Sequence, residues 1–156
     1  MNNKVLIGPS TFAALDSSPA DKLIDAGFEI VNNPFGRKLT VKELINLLPG
    51  INGIIAGLED LNRVVMEGSN LRVISRCGSG LSNVDLKAAE SLGIKVLSTP
   101  DGPTTSVAEL TVGLLLSMIR SLYKMNMSMH QRKWNKQIGI QLNGKVVAIV
   151  GFGRIG

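Results

Sequence analysis

Short apolar segments alternate with helical segments over residues 4–97, and this alternation constrains the fold more than any other feature of the chain. Strand-sized runs separated by helices are typical of a parallel sheet covered by helices on both faces. Five strands in about 100 residues favour the doubly wound, flavodoxin-like α/β plan. The predicted strands are Lys4–Ile7, Phe28–Val31, Gly53–Ala56, Leu71–Ser75 and Lys95–Leu97.

Capping residues and glycine stops mark the helices between these strands. Thr40 and Glu43 have the spacing of a capping box, in which each side chain binds a backbone N–H at the start of a helix. Leu86, Ala89 and Leu92 recur on one face of a helix that is expected to end at Gly93. The predicted helices start at Pro19 after Ser18, include Leu44–Leu48, and span Asn62–Glu67 and Asp85–Leu92.

The pattern changes after Pro103, where one long helix is predicted. A second capping box, Ser106–Glu109, is expected to open it, and the apolar spacing continues to about His130. Because apolar residues lie along two lines of this helix, two of its sides must each pack against another part of the protein. One side is expected to pack on its own domain, and the other on a second domain or subunit. Thr104–Ser106 at its start could present free N–H groups to a cofactor, although capping alone would explain these residues.

The segment Val146–Gly156 predicts a buried strand that leads into Gly-x-Gly-x-x-Gly, the opening of a dinucleotide-binding fold. In that fold the first glycine makes a tight turn, the second lets the backbone approach a pyrophosphate, and the third lets a helix pack on the strand. The sequence stops at Gly156, before the helix whose N-terminus would hold the phosphates. A glycine-rich turn without a ligand is the alternative.

Two other segments follow predicted strands, at the edge where open parallel sheets bind ligands. After the fourth strand, Gly78 and Gly80 are expected to expose N–H groups that suit a carboxylate or phosphate, and Asn83 to cap the next helix. A plain strand-to-helix turn is an equal alternative. After the third strand, the small residues of Ala56–Glu59 would let a ligand approach the backbone, but a simple loop is favoured there on local sequence alone.

Composition excludes several other classes of protein. The net charge is +5, but the basic residues are scattered, so no nucleic-acid partner is predicted. The single cysteine, Cys77, favours a reducing compartment, and no apolar run is long enough to span a membrane, so a cytoplasmic protein is expected. No cluster has metal-ligand spacing. His130 is expected to be an exposed helix-terminal residue without a catalytic role. A phospho-receiver domain is rejected, because Gly8–Ser10 and Ala56–Gly57 stand where it needs acidic residues.

Residues 71–156 resemble the D-isomer-specific 2-hydroxyacid dehydrogenases, especially the phosphoglycerate dehydrogenase-like members, and the first 70 residues resemble them more loosely. The elements that carry the resemblance occur in family order and spacing. They are Val73–Leu86, Ser98–Pro100, Ser106–Thr111, Trp134, Leu142–Lys145 and the glycine motif.

The resemblance implies NAD as cofactor, a 2-hydroxy or 2-oxo acid as substrate, and a homodimer formed through the long helix, residues 104–130. It implies a substrate domain, 1–100, followed by a crossover helix and an incomplete Rossmann domain, 101–156. The family's catalytic residues have no counterpart in this sequence, so no catalytic residue and no metal are assigned. The implied substrate-binding residues are Ala56, Gly57, Leu58, Arg76, Cys77, Gly78, Ser79, Gly80 and Asn83. The implied cofactor-binding residues are Ser79, Thr104, Val107, Gly151, Gly153, Arg154, Ile155 and Gly156.

The sequence departs from the family pattern at two places. Ser82 stands where the family usually has Asp or Asn, and Ala56–Gly57 replaces an Arg-Ser pair that phosphoglycerate-specific members often have. The identity of the 2-hydroxy acid is therefore open. The leading hypothesis is the N-terminal part of an NAD-dependent 2-hydroxyacid dehydrogenase, inactive by itself. The alternative is a non-catalytic truncated product or a dinucleotide-sensing binding module of the same fold.

Overall fold

The computed structural model describes residues 3–156, and the chain divides after Pro100 into two compact units. The first unit ends at Pro100, and the second unit is Asp101–Gly156. Residues 1 and 2 of the first predicted domain lie outside the described residues. The strands are β1 Asn3–Ile7, β2 Phe28–Asn32, β3 Gly53–Ala56, β4 Val73–Arg76 and β5 Lys95–Ser98. The helices are α1 Ser18–Asp25, α2 Val41–Leu47, α3 Arg63–Glu67, α4 Leu86–Ser91, α5 Thr104–Ile119 and α6 Leu122–His130.

The first unit contains one parallel sheet with the strand order β2-β1-β3-β4-β5. This order is the flavodoxin-like one, so the predicted fold class is confirmed. All five predicted strands are present, although the fourth is shifted, since β4 starts at Val73 and includes Arg76.

The core lies on one face of this sheet. Leu6, Ile54 and Ile74 stand at paired positions of β1, β3 and β4 and are buried against α2, α3 and α4. Burying these aliphatic side chains supplies the main favourable term for folding. On the opposite face α1 packs beside β2, and an open groove of about 420 Å³ runs along β1, β3 and β4.

Capping explains where the short helices begin. The predicted capping box of α2 is confirmed, since the Glu43 N–H donates to Thr40 Oγ1 and the Thr40 N–H donates to Glu43 Oε2 at 2.8 Å. Asn62 caps α3 as its sequence position suggests. The interpretation of Asn83 as a cap was wrong, because Asp85 Oδ1 accepts the Ala88 N–H at the start of α4.

The apolar face of α4 is only partly buried. Ala88 and Ala89 are buried, whereas Leu86 and Leu92 are exposed. The two alanines belong to the core, and α4 packs against α3 and β5.

The second unit contains two helices where one was predicted. Ser121, with a left-handed φ of 53°, separates α5 from α6, and the two axes are bent by 70°. The Ile140 N–H donates to the Ile119 carbonyl at 2.8 Å, so a returning segment binds a carbonyl that a continuous helix would use. The predicted Ser106–Glu109 capping box was wrong as well, because α5 already begins at Thr104, after Pro103.

The predicted final strand, Val146–Val150, is not formed. A strand needs neighbouring strands to bind its N–H and C=O groups, and no strand of the second unit is available to do so. No single helix among residues 3–156 is long and apolar enough to cross a bilayer; α5 and α6 pass that test only as a bent pair.

Candidate functional site

A cavity of about 350 Å³ opens at the carboxyl end of β1, β3 and β4, where parallel sheets bind ligands. Four of the residues that the sequence assigned to substrate form part of its wall, namely Gly57, Leu58, Arg76 and Cys77. Glu59 ends the segment Ala56–Glu59, which the sequence singled out as a possible ligand contact. The remaining wall residues were missed, and they come from the connections after β1 and β2. They are Gly8, Pro9, Ser10, Thr11 and Lys38.

Two cationic side chains, Lys38 and Arg76, stand on the cavity wall. Arg76 Nη1 donates to the Cys77 carbonyl, while Arg76 Nε is buried and meets no acceptor among the described residues. A buried donor without an acceptor is costly, so this guanidinium is only partly satisfied by the protein. The guanidinium also lies against Gly78, where a Cβ would be 2.5 Å from Nη1. The wall therefore carries two cationic side chains against one carboxylate, Glu59, and this excess of positive charge suits an anion.

The segment after β4 is tied to its neighbours. The Cys77 N–H donates to the Ala56 carbonyl at 2.8 Å, and the Gly78 N–H donates to Thr99 Oγ1 at 2.8 Å. The prediction that Gly78 offers a free N–H to a ligand was therefore wrong, and Thr99, which binds it, was missed. Ser79 and Gly80 are exposed beyond this point, outside the cavity wall.

The segment after β3 is fixed by the burial of Ala56 and by hydrogen bonds from the Asn83 side chain. Ala56 is fully buried and belongs to the core, so it does not line the cavity. Asn83 Nδ2 donates to the carbonyls of Gly57 and Glu59, at 3.2 and 2.6 Å. Asn83, assigned to substrate by resemblance, is thus placed behind the cavity wall. Leu58 remains exposed at the cavity.

The predicted cofactor residues other than Ser79 lie in the second unit. Thr104 and Val107 are in the first turn of α5, and Arg154 pairs with Asp101 at 2.9 Å. Gly151 has a φ of 95°, and a Cβ at Gly156 would be 2.7 Å from the Gly151 carbonyl oxygen, so the turn is a tight one that needs glycine. No helix follows it in residues 151–156, so these residues do not present the row of N–H groups that would hold a pyrophosphate. The cofactor-binding roles of these residues remain predictions.

The comparisons with known proteins agree with the parallel α/β fold. A protein from Thermus thermophilus has a solved structure that matches 97% of this chain and 50% of its own, with a TM-score of 0.84 and 30% identity. The model of the D-isomer specific 2-hydroxyacid dehydrogenase catalytic domain matches residues 12–151. The chain belongs to this family of oxidoreductases.

Two relatives that resemble this chain in sequence have different enzyme names. The D-3-phosphoglycerate dehydrogenase of Sus scrofa is 38% identical over 98% of this chain, which corresponds to 28% of that protein. The hydroxypyruvate reductase of Thermotoga maritima is 36% identical over 73% of this chain and 39% of its own length. The chain thus spans less than half the length of these relatives.

Proposed function

We propose that this chain supplies the substrate-binding part of an NAD-dependent oxidoreductase that acts on the CH–OH group of a D-2-hydroxy acid. The single observation that carries the proposal is the cavity with Lys38 and Arg76 at the carboxyl edge of the sheet, in a member of this family. A 2-hydroxy acid has a carboxylate that needs cationic partners and a short carbon chain that can contact Leu58. NAD, when bound, accepts or donates the hydride.

The contribution of these residues is binding and orientation. Lys38 and Arg76 attract the carboxylate, and charge-assisted hydrogen bonds to such a group contribute about 1.5–3 kcal/mol each. Fixing one end of the acid in this way would orient C2 for reaction. None of the cavity-wall residues is a histidine, and His130 lies at the end of α6, in the second unit.

Binding can be tested without turnover. In ¹⁵N-labelled protein, D-glycerate should shift the amide resonances of Gly57, Leu58 and Cys77. Arg76→Met or Lys38→Met should weaken binding about tenfold or more, the loss expected for one charge-assisted hydrogen bond. Arg63→Met is the matched control, because Arg63 is an exposed arginine that pairs with Glu67 on α3. Equal weakening by all three substitutions, or shifts confined to other regions, would contradict the proposal.

Turnover is a separate question. We expect residues 1–156 alone to oxidise no NADH in the presence of hydroxypyruvate or other 2-oxo acids, because no cavity-wall residue is a histidine and residues 151–156 contain no helix that would hold a pyrophosphate. An absorbance assay at saturating hydroxypyruvate measures this. Turnover above the buffer rate would show that the chain is sufficient, and would overturn the assignment of a binding role alone.

We also propose that a second copy of the chain covers α5 and α6. No residue of either helix is buried, and Leu110, Leu114 and Met118 are among the exposed apolar side chains of α5. An apolar surface of this kind is typical of a subunit contact. Light scattering should report a dimer that Leu114→Lys converts to monomer. The lone Cys77, which forms no disulfide, supports a reducing compartment, and we propose the cytoplasm.

A further inference from the structure

Glu59 is a buried carboxylate at the cavity, and no sequence pattern indicates its burial. Glu59 is only 2% exposed. No lysine or arginine nitrogen lies within 4.0 Å of its carboxylate oxygens among the described residues. Burying an ionisable group without a cation is expensive unless hydrogen bonds compensate for the lost water. The burial of the Glu59 carboxylate therefore requires compensating interactions within the cavity wall.

The carboxylate lies between the connections that follow β1 and β3. Glu59 Oε2 accepts the Gly57 N–H at 2.5 Å. A Cβ at Gly8 would lie 2.9 Å from Glu59 Cδ, and one at Gly57 would lie 3.2 Å from Oε2. The first distance is too short for an unstrained side chain and the second is tight, so the carboxylate packs closely against both glycines. Glu59 thus accepts a hydrogen bond from the segment after β3 and packs against Gly8 in the segment after β1.

Hydrogen bonds from neighbouring connections hold this arrangement in place. Asn83 Nδ2 donates to the Glu59 carbonyl at 2.6 Å, and the Leu61 N–H donates to the Asn83 carbonyl at 2.9 Å. On the other side, Asn33 Nδ2 donates to the Gly8 carbonyl at 2.7 Å. The backbone of Glu59 is therefore fixed, and its side chain can act on Gly57 and Gly8 with little freedom of its own.

We propose that Glu59 is a positioning residue, which fixes the backbone of Gly57–Leu58 against Gly8 and so sets the shape of the cavity. This proposal rests on the proposed function only in taking a 2-hydroxy acid as the occupant of the cavity. Glu59 acts through Gly57, since its carboxylate occupies that N–H and keeps Leu58 on the cavity wall. Loss of the acceptor frees Gly57–Leu58 to move, while the Gly8 N–H still binds the Ile55 carbonyl at 2.9 Å.

Three substitutions of Glu59 test whether its role depends on the hydrogen bond to the Gly57 N–H. Glu59→Gln keeps an oxygen that can accept the Gly57 N–H, Glu59→Asp shortens the side chain by one methylene, and Glu59→Ala removes the acceptor. Glu67→Gln is the matched control, because Glu67 is an exposed glutamate on α3. Hydrogen exchange of the Gly57 amide reports the segment directly, with the Ile54 amide in β3 as the internal reference for global stability. D-glycerate binding, followed by NMR, reports the cavity.

Glu59→Ala and Glu59→Asp should speed exchange at Gly57 about tenfold relative to Ile54, the factor expected for one lost hydrogen bond, and should weaken D-glycerate binding by a similar factor. Glu59→Gln should stay within a few-fold of the unsubstituted chain in both measurements, as should Glu67→Gln. A merely structural role would raise exchange at Gly57 and Ile54 together, and that outcome would overturn the proposal. Unchanged exchange at Gly57 in Glu59→Ala would overturn it too. If the unsubstituted chain binds no D-glycerate, the proposed function fails, while the exchange ratio still decides the role of Glu59.

Discussion

The two units of this chain use apolar residues in opposite ways. Among the described residues, the first unit buries 18 apolar residues and one carboxylate, whereas no residue of the second unit is buried. In α5 the apolar side chains point outward on more than one side, and Val146 and Val150 are almost fully exposed. Both units have ordered backbone, but only the first has a core of its own. Apolar content alone therefore does not make a domain; it must be enclosed by paired strands and covering helices.

The largest test of this difference is to separate the units. Residues 1–100 alone should keep the parallel sheet and unfold cooperatively, because all the contacts of their core lie within this segment. Residues 101–156 alone should lack a cooperative transition in protein dilute enough to dissociate the proposed dimer, since helices without tertiary packing are marginal in water. Thermal unfolding followed by circular dichroism measures both. A molten 1–100, or a cooperative 101–156, would break the comparison.

Deleting side chains should have unequal effects in the two units. Ile54→Ala in β3 should lower the free energy of unfolding by about 2–5 kcal/mol, because it leaves a cavity in a packed core. Leu114→Ala in α5 should change it by about 0.5 kcal/mol or less in the monomer, because the side chain is 60% exposed. Urea unfolding of each variant, in dilute protein, gives both values. Similar losses at the two positions would mean that α5 is covered in solution.

Two glycines of the first unit provide a smaller, local test. Gly8→Ala places a methyl group 2.9 Å from Glu59 Cδ and should cost about 1–3 kcal/mol through overpacking. Gly80→Ala meets nothing within 4 Å and has no positive φ, so it should be neutral or slightly stabilising. The pair is matched in chemistry and differs only in surroundings. Equal effects on the urea midpoint would show that the Glu59 carboxylate moves aside without cost.

The sheet could be predicted because each strand is a short apolar run with its own helix and turn residues. The structure of the second unit could not be predicted from its sequence. Ser121 and the segment Val146–Val150 show why. Nothing at Ser121, which has neither glycine nor proline beside it, signals a left-handed residue; the break depends on Ile140, which binds the Ile119 carbonyl from 21 positions away. Likewise, Val146–Val150 has strand composition, but a strand forms only beside other strands.

The cavity residues also divide into those that the local sequence pattern predicts and those that depend on residues distant in sequence. Gly57, Leu58, Arg76 and Cys77 could be placed on it because they lie at or directly after the carboxyl ends of strands in a parallel sheet. Gly8–Thr11 follows β1 in the same way, and the same rule could have found it. Lys38 could not be found like this, because it stands six residues after the end of β2. The burial of Glu59 depends on space left by Gly8, 51 positions earlier, which no local pattern encodes.

The smallest expected effect concerns how the helices of the two units begin. A full capping box opens α2, whereas α5 follows Pro103 without a side-chain cap. The Arg37 guanidinium, and then the Thr40 N–H, hold the pKa of the Glu43 carboxyl at about 2, below its ordinary value of 4.5. Because the pKa is lower in the folded chain, the carboxylate stabilises it above about pH 4.5, and this contribution is lost as the pH falls towards 2.

Glu43→Gln should therefore lower the thermal midpoint slightly at neutral pH, and the difference from the unsubstituted chain should vanish as the pH falls from about 4.5 to about 2. The effect is small because the pair is exposed and screened by solvent, and because glutamine can keep part of the capping box. Glu109→Gln, which changes the same side chain within α5, is the control for the helix that has no such cap. A difference at Glu43 that is constant across this pH range would mean that the oxygen geometry of the cap, and not its charge, stabilises the start of α2.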